Sequence, residues 1–240
     1  MLYTTPGIVL QTIDYSENSI IAKIYTLQFG LSSFMINRVR SKKDKKKSFL
    51  QALAQVELVC DYKEKNNLQK IVEIRNAKPF QTIPFDVMKM SIALFMNEII
   101  YRSIHEEEPN ENLFFFLAHS IETLDRTIEN SSNFHLLFMI QFSKYLGFYP
   151  QGNYTSENYF FDLKEGSFTG IKPRHENFIL SPLAEALGAF LSLKINEFHT
   201  VKMSNETRRK LLEKIILYFR LHLDSMREIK SHHVLEQIME

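Results

Sequence analysis

The chain of 240 residues carries 29 Lys and Arg against 28 Asp and Glu, a formal charge of +1, which excludes a protein that is basic over its whole surface. With 45% hydrophobic residues and one cysteine, Cys60, it is neither a disordered chain, nor a disulfide framework, nor a Cys-rich zinc protein. The neutrality is a cancellation: residues 1–80 hold 13 basic and 7 acidic side chains, a net of +6, and residues 81–240 hold 16 and 21, a net of −5. Such asymmetry between halves is itself a signal. Seven glycines are few for a Rossmann or TIM-barrel enzyme. The lone thiol fits a reducing cytoplasm. Met1 to Pro6 lacks the basic and apolar regions of a signal peptide, and the longest apolar run, Leu113 to Ala118, is far short of a membrane span. The expectation is a cytoplasmic protein with no membrane contact.

In chain order, Gly7–Ile13 and Ser19–Tyr25 are rich in β-branched and aromatic residues and read as strands, with the polar stretch Asp14 to Asn18 as the turn. Gly30 closes the second strand, and a third runs from Leu31 to Val39. Val56–Tyr62 and Leu68–Ile74 flank Asn66-Asn67, a hairpin turn pair. Five short strands in about 75 residues suggest a small closed barrel. Near residue 80 the period changes. Phe85, Met88, Ile92, Phe95 and Ile99 step by three and four, as do Leu113, Leu117, Ile121, Leu124 and Ile128. Glu106 to Asn110 separates these two helices, and Phe134, Leu137, Phe138, Phe142 and Tyr145 define a third, ended by Gly147. Residues 148–180 hold three of the seven glycines and a hairpin, Tyr159–Leu163 with Ser167–Thr169. Ser181-Pro182 reads as a helix cap and first turn, Ser204 as the N-cap of a long helix through Leu223, and Ser225 to Met239 as partly helical. The fold class is α+β: a barrel over 1–80, then a helical domain over 81–240 with an insert at about 148–180.

The densest chemical feature lies between the third and fourth strands. In Arg38 to Lys47, seven of ten residues are basic: Arg38, Arg40, Lys42, Lys43, Lys45, Lys46 and Lys47. Crowded like charges repel, and a polyphosphate relieves that repulsion while releasing counterions. The bland alternative is a solvated loop. A small barrel of this kind often binds nucleic acid along one face, so Lys23 and Arg75 are added as DNA-contact residues, with Lys70 and Lys78 as further surface charges. The eight histidines do not form a metal motif: His232 and His233 are adjacent and point to different helix faces, and no H-E-x-x-H occurs. Glu106 to Glu108 reads as a solvated loop. Phe114 to Phe116 reads as core, or as the lining of a peptide groove. No phosphate-loop, dinucleotide or nucleophile-elbow motif is found, and Cys60 sits in an apolar strand, the wrong place for a low-pKa nucleophile.

Gly7 to Ser19, a strand leading into an acidic-polar turn, resembles the opening of the bacterial RecO recombination mediator family. Tyr25 to Leu31 matches the next family signature, and the basic loop from Arg38 follows where expected. Phe142 to Pro150 is similar to that family's helix end, and His222 to Ser231 to its C-terminal signature, so the likeness runs in order along nearly the whole chain. The resemblance implies an N-terminal OB-fold barrel and a helical C-terminal domain. It also implies binding of single- and double-stranded DNA and annealing of complementary strands. With RecR, such a protein helps load RecA onto strands coated by single-strand binding protein (SSB). The acidic C-terminal tail of SSB would enter a hydrophobic groove on the helical domain with a basic rim, for which Arg102, Arg126 and Lys144 are named. Many members carry a four-cysteine zinc module after the helix end, but Gln151 to Asn177 has no cysteine. No metal or other cofactor is therefore carried over. The insert is read as a degenerate zinc-finger-like hairpin in which Tyr154, Tyr159, Phe160, Phe161 and Phe168 pack in place of the metal.

The expectation is a non-enzymatic, nucleoid-associated DNA-binding mediator. The alternative is a protein–protein adaptor whose basic loop meets an acidic partner. A hydrolase is the weakest reading, because no nucleophile, base and orienting group can be named together.

Overall fold

The computed structural model describes residues 1–37, 50–104, 108–227 and 229–238. The chain divides into two compact units: Met1–Pro84 with Ile100–Asp125, and Phe85–Ile99 with Arg126–Glu240.

In the first unit, β1 (Leu2–Ser16), β2 (Ser19–Thr26), β3 (Gly30–Asn37), β4 (Gln55–Asp61) and β5 (Leu68–Lys78) close a barrel in the order β1-β2-β3-β5-β4. The long first strand makes closure possible: its N-terminal part, Leu2 to Ile8, pairs with β4, and its C-terminal part, Gly7 to Ser16, pairs with β2. Where the two pairings overlap, Gly7 is required by space, because a Cβ there would stand 2.6 Å from Ile24 Cγ2. Period-2 alternation then sends Ile20, Ala22 and Ile24 of β2 and Val56, Leu58 and Cys60 of β4 inward, where they meet Val9, Phe34, Ile36 and Ile71. Their outward neighbours, Ile21 and Lys23 among them, line the surface.

The expected strands all form, with three shifts. The first turn begins later than Asp14: Asp14 pairs with Ile20 and Ser16 with Ser19, so only Glu17 and Asn18 turn. Asn66-Asn67 is not a two-residue hairpin. It ends a longer loop after Asp61, which Gln69 organises by accepting from Lys63 N (2.9 Å) and donating to Lys63 O (2.9 Å) and Asn66 O (2.6 Å). The third strand is described to Asn37; Arg38 and Val39 lie outside the described residues.

α2 (Glu111–Arg126) belongs to the same unit. Asn110 caps it, its Oδ1 accepting from Leu113 N at 3.0 Å. Gln55 Nε2 donates to Ala118 O (3.2 Å), Tyr25 Oη donates to Asn110 O (3.4 Å), and Lys78 pairs with Glu122. At its end the buried Asp125 carboxylate accepts backbone N–H bonds from Gln81 (2.8 Å), Thr82 (2.9 Å) and Ile83 (2.9 Å), and its carbonyl accepts from Thr82 Oγ1. The chain leaving β5 is thereby fixed to the last turn of α2.

The second unit is built on α3 (Phe134–Tyr145), which buries Phe134, Leu136, Leu137, Phe138, Met139, Ile140 and Phe142 and so is apolar nearly all round. Gly147, at φ +86°, ends it. The first part of α1 (Val87–Ser103) contributes Ile92, Phe95, Met96 and Ile99; α4 (Leu183–Leu191) contributes Leu187 and Phe190; and α5 (Asn205–His222) contributes Leu211, Leu212, Ile215, Ile216 and Phe219. Ser204 caps α5 as expected, accepting from Thr207 N at 3.1 Å. Ser181 does not cap α4: Pro182 occupies the N-cap position without a side-chain cap bond. Two residues assigned to apolar helix faces are solvent-exposed, Phe85 at 85% and Ile128 at 97%, because each lies just outside its helix. The last helix, α6 (Ser231–Ile238), starts on Glu98, whose carboxylate accepts from Ser231 N at 2.8 Å and from Ser231 Oγ. His135 is fully buried, and neither ring nitrogen has a hydrogen-bond partner among the described residues. Burial, helped by the Arg208 guanidinium, pushes its pKa down to about 3, so it is folded as the neutral imidazole.

The Asp125 hydrogen bonds give the first prediction. Three charge-assisted bonds to backbone donors disappear in Asp125→Ala, which should cost about 2–4 kcal/mol, more than Asp125→Asn. Urea unfolding of both variants checks it; equal midpoints for Asp125→Ala and wild type would contradict it.

Candidate nucleic-acid interface

The outer surface of β2 and β3 carries the one described residue of the expected DNA set that faces a groove. Lys23 pairs in register with Ser33, and both point away from the core. The Lys23 ammonium lies 5.3 Å from the Tyr101 ring centroid, a distance for cation–π attraction. A groove of about 170 Å³ is lined by Lys23 and Ser33 of the strands and by Tyr62, Glu64, Asn66 and Asn67 of the β4–β5 loop, while the Ser32 hydroxyl donates to Phe29 O at 3.1 Å. Tyr62 stacks on Phe29 (centroids 3.8 Å apart, planes 9° apart), and Tyr3 meets Phe29 edge-on at 5.3 Å. Nothing in the spacing of Tyr3, Phe29 and Tyr62 announces this cluster. Only the β1–β4 pairing and the turn after β2 bring the three together.

Arg75 sits differently. It is opposite Glu57 in the β4–β5 register, and its Nε donates to Glu57 Oε1 at 2.8 Å, so its charge is already shared with a carboxylate. Lys70 lies opposite Asp61, and Lys78 is paired with Glu122. Arg38, Arg40, Lys42, Lys43, Lys45, Lys46 and Lys47 lie outside the described residues.

The residues named for a peptide groove do not share one unit. Arg102, in the last turn of α1, belongs to the barrel's unit; Arg126, ending α2, and Lys144, in the last turn of α3, are exposed in the other. The helical unit has a groove elsewhere, of about 410 Å³, with Leu180, Pro182 and Leu183 on one wall and Glu206, Lys210 and Lys214 of α5 on the other. Lys210 is paired with Glu206 at 2.6 Å.

The insert is a three-stranded sheet of β6 (Phe160–Asp162), β7 (Ser167–Thr169) and β8 (Phe178–Ile179) in the order β7-β6-β8. Its hairpin turns at Gly166 (φ +66°), where Asp162 Oδ1 accepts from Lys164 N (2.8 Å) and Glu165 N (3.2 Å) and Asp162 Oδ2 faces His175 Nε2 at 3.2 Å. Phe161 contacts Phe168 (4.9 Å) and Tyr218 (5.7 Å), Tyr154 contacts Phe168 (6.3 Å), and Tyr218 Oη donates to Phe148 O. His222 stacks on Phe148 at 5.0 Å and meets Leu163 O at 3.0 Å. Among the described residues, no group of three or more His, Cys, Asp or Glu is placed to hold a metal ion. Cys60 is buried in the barrel core, and burial with the neighbouring Asp61 charge pushes its thiol up to about 11, the opposite of an activated nucleophile. No described helix is long and apolar enough to cross a membrane.

A closed five-stranded barrel of the OB type followed by a helical region defines the class of the protein by its fold. Residues 1–80 match the family model described as "Recombination protein O N terminal", and residues 84–232 match "Recombination protein O C terminal". The chain is 38% identical to the DNA repair protein RecO of Phocaeicola vulgatus over 99% of each chain. It is 37% identical to that of Bacteroides fragilis over the whole of both chains, and 36% identical to that of Flavobacterium psychrophilum over 99% of each. The chain belongs to the RecO family of DNA repair and recombination proteins.

Proposed function

We propose that this chain is a non-enzymatic DNA-binding mediator that anneals complementary strands and, with RecR, helps load RecA on SSB-coated single strands. The observation that carries this reading is the division of charge: +6 over residues 1–80, the OB-type barrel, and −5 over the rest. Phosphates are attracted to one end of the chain and repelled by the other. Arg38, Arg40 and Lys42 to Lys47 neutralise the backbones of two strands, lowering the repulsion between them, while base pairing supplies the specificity. Lys23 adds a fixed charge on the barrel, whereas Arg75, shared with Glu57, adds less. Residues 1–80 then serve as the DNA domain and 81–240 as the scaffold for protein partners. The protein works in the cytoplasm, at the nucleoid.

For the acidic SSB tail, the groove between Leu180–Leu183 and α5 fits better than the ends of α1, α2 and α3, because it joins an apolar wall to Lys214, beside Lys210, whose charge is shared with Glu206. A peptide with an acidic, apolar C-terminus satisfies both.

Two measurements test these assignments. Affinity for a fluorescent single strand, measured against salt with no other protein present, should fall steeply. Changing Lys42, Lys43, Lys45, Lys46 and Lys47 together to Ala should flatten the log–log slope by about 0.7 for each phosphate that is no longer neutralised. A flat wild-type dependence, or binding that needs a protein partner, would favour the adaptor reading. Separately, Lys210→Glu with Lys214→Glu should abolish binding of an SSB-tail peptide and leave DNA affinity unchanged. Loss confined to Arg102, Arg126 and Lys144 variants would return the tail site to the helix ends.

A further inference from the structure

α1 departs from the rule that a surface helix shows solvent a polar face. Between Phe85 and Ile99 the exposed residues are Phe85, Val87, Met90 and Leu94, and all four are apolar. The other side of the helix is apolar too, with Ile92, Phe95, Met96 and Ile99 buried in the core of the helical unit. The three charged side chains of this stretch are engaged in other tasks. Asp86 Oδ1 accepts from Lys89 N at 3.0 Å and caps the helix. Lys89 is buried and donates to Thr127 O at 2.7 Å. The Glu98 carboxylate accepts from Ser231 N at the start of α6.

Spacing, charge and area together say what covers this face. Val87, Met90 and Leu94 step by three and then four, the spacing of a seam between two helices. DNA and an acidic peptide tail both need cations, and this face presents none. It fits a surface as uncharged as itself, and a second α1 is such a surface. Val87 is 62% exposed, Met90 40% and Leu94 50%. With Phe85 these side chains offer roughly 400 Å² a copy, the size of an apolar patch that has a use. Two copies bury about 800 Å² of apolar surface, and their polar rims bring the contact to the lower end of specific interfaces.

We infer that this face of α1 joins two copies of the chain about a two-fold axis, with the two α1 helices antiparallel. The axis passes beside Met90, midway between Val87 and Leu94. Met90 then meets its own counterpart, and Val87 meets Leu94 of the partner subunit. Antiparallel packing also sets the two helix dipoles head to tail. A contact of this size without charge pairs is weak, so the dimer forms at micromolar concentrations and separates below them. The dimer stands apart from the DNA-binding reading. If that reading holds, one particle carries two basic barrels, one for each strand to be annealed.

Sedimentation velocity of the full chain, from about 1 to 100 µM, should show monomer passing to dimer. Met90→Glu with Leu94→Glu should raise the dimer dissociation constant about a hundredfold or more, because four carboxylates meet at the seam. Both positions are exposed, so circular dichroism and the thermal midpoint of the monomer should stay as in wild type. A short bis-maleimide should couple the Met90→Cys variant into a covalent dimer and leave wild type uncoupled, since Cys60 is buried. A wild type that stays monomeric at the highest concentration overturns the inference; if the double variant then loses a protein partner, the face belongs to that partner. A dimer that the double variant retains, or that leaves Met90→Cys uncoupled, overturns it as well by placing the contact elsewhere on the chain.

Discussion

The carboxylate of Asp125 is the group on which the path of the chain depends. β5 ends the barrel, and the backbone that leaves it has no strand partner for its next N–H groups. Asp125 accepts three of them in succession, at Gln81, Thr82 and Ile83. The two compact units exchange the chain at 84/85, within α1 at 99/100, and at 125/126. The first and last of these crossings lie within two residues of that cluster of hydrogen bonds. Just beyond the last, the buried Lys89 donates to Thr127 O at 2.7 Å. Asp125 and Lys89, one acidic and one basic, are thus both buried and each bonded to backbone groups.

Most of the barrel is legible in the sequence because a half-buried strand writes its own period. Ile20, Ala22 and Ile24 alternate with Ile21 and Lys23, and that alternation alone places Lys23 outside. The helices are legible for the same reason, and their errors fall at the ends: Phe85 and Ile128 continue an apolar spacing past the residues that are helical. What is not legible is anything set by long-range pairing. Asp125 reads as one more acidic residue on an acidic helix, and its partners are more than forty positions away. Tyr62 reads as the end of a strand, and only closure of the barrel places Phe29 against it.

The insert is held together by its packing on α5. A small sheet of three short strands has too little apolar surface to hold itself. Here Phe161 and Phe168 pack together, Phe161 also meets Tyr218 of α5, Asp162 caps the turn, and His222 and Tyr218 bind the insert's edge through Leu163 O and Phe148 O. Burial pushes the Tyr218 phenol up, so it stays a neutral donor. Aromatic packing and hydrogen bonds to α5 thus hold a module that contains no cysteine.

Function follows from keeping two kinds of recognition apart. In the proposed function, the charge concentrated in the sequence between β3 and β4 gathers strands, and base pairing sorts them. The most direct measurement is the rate at which the protein anneals two complementary oligonucleotides as salt is raised, with and without ATP. The account predicts acceleration at low salt that falls steeply with ionic strength and is the same in both conditions. Annealing that ignores salt, or that requires ATP, would contradict it.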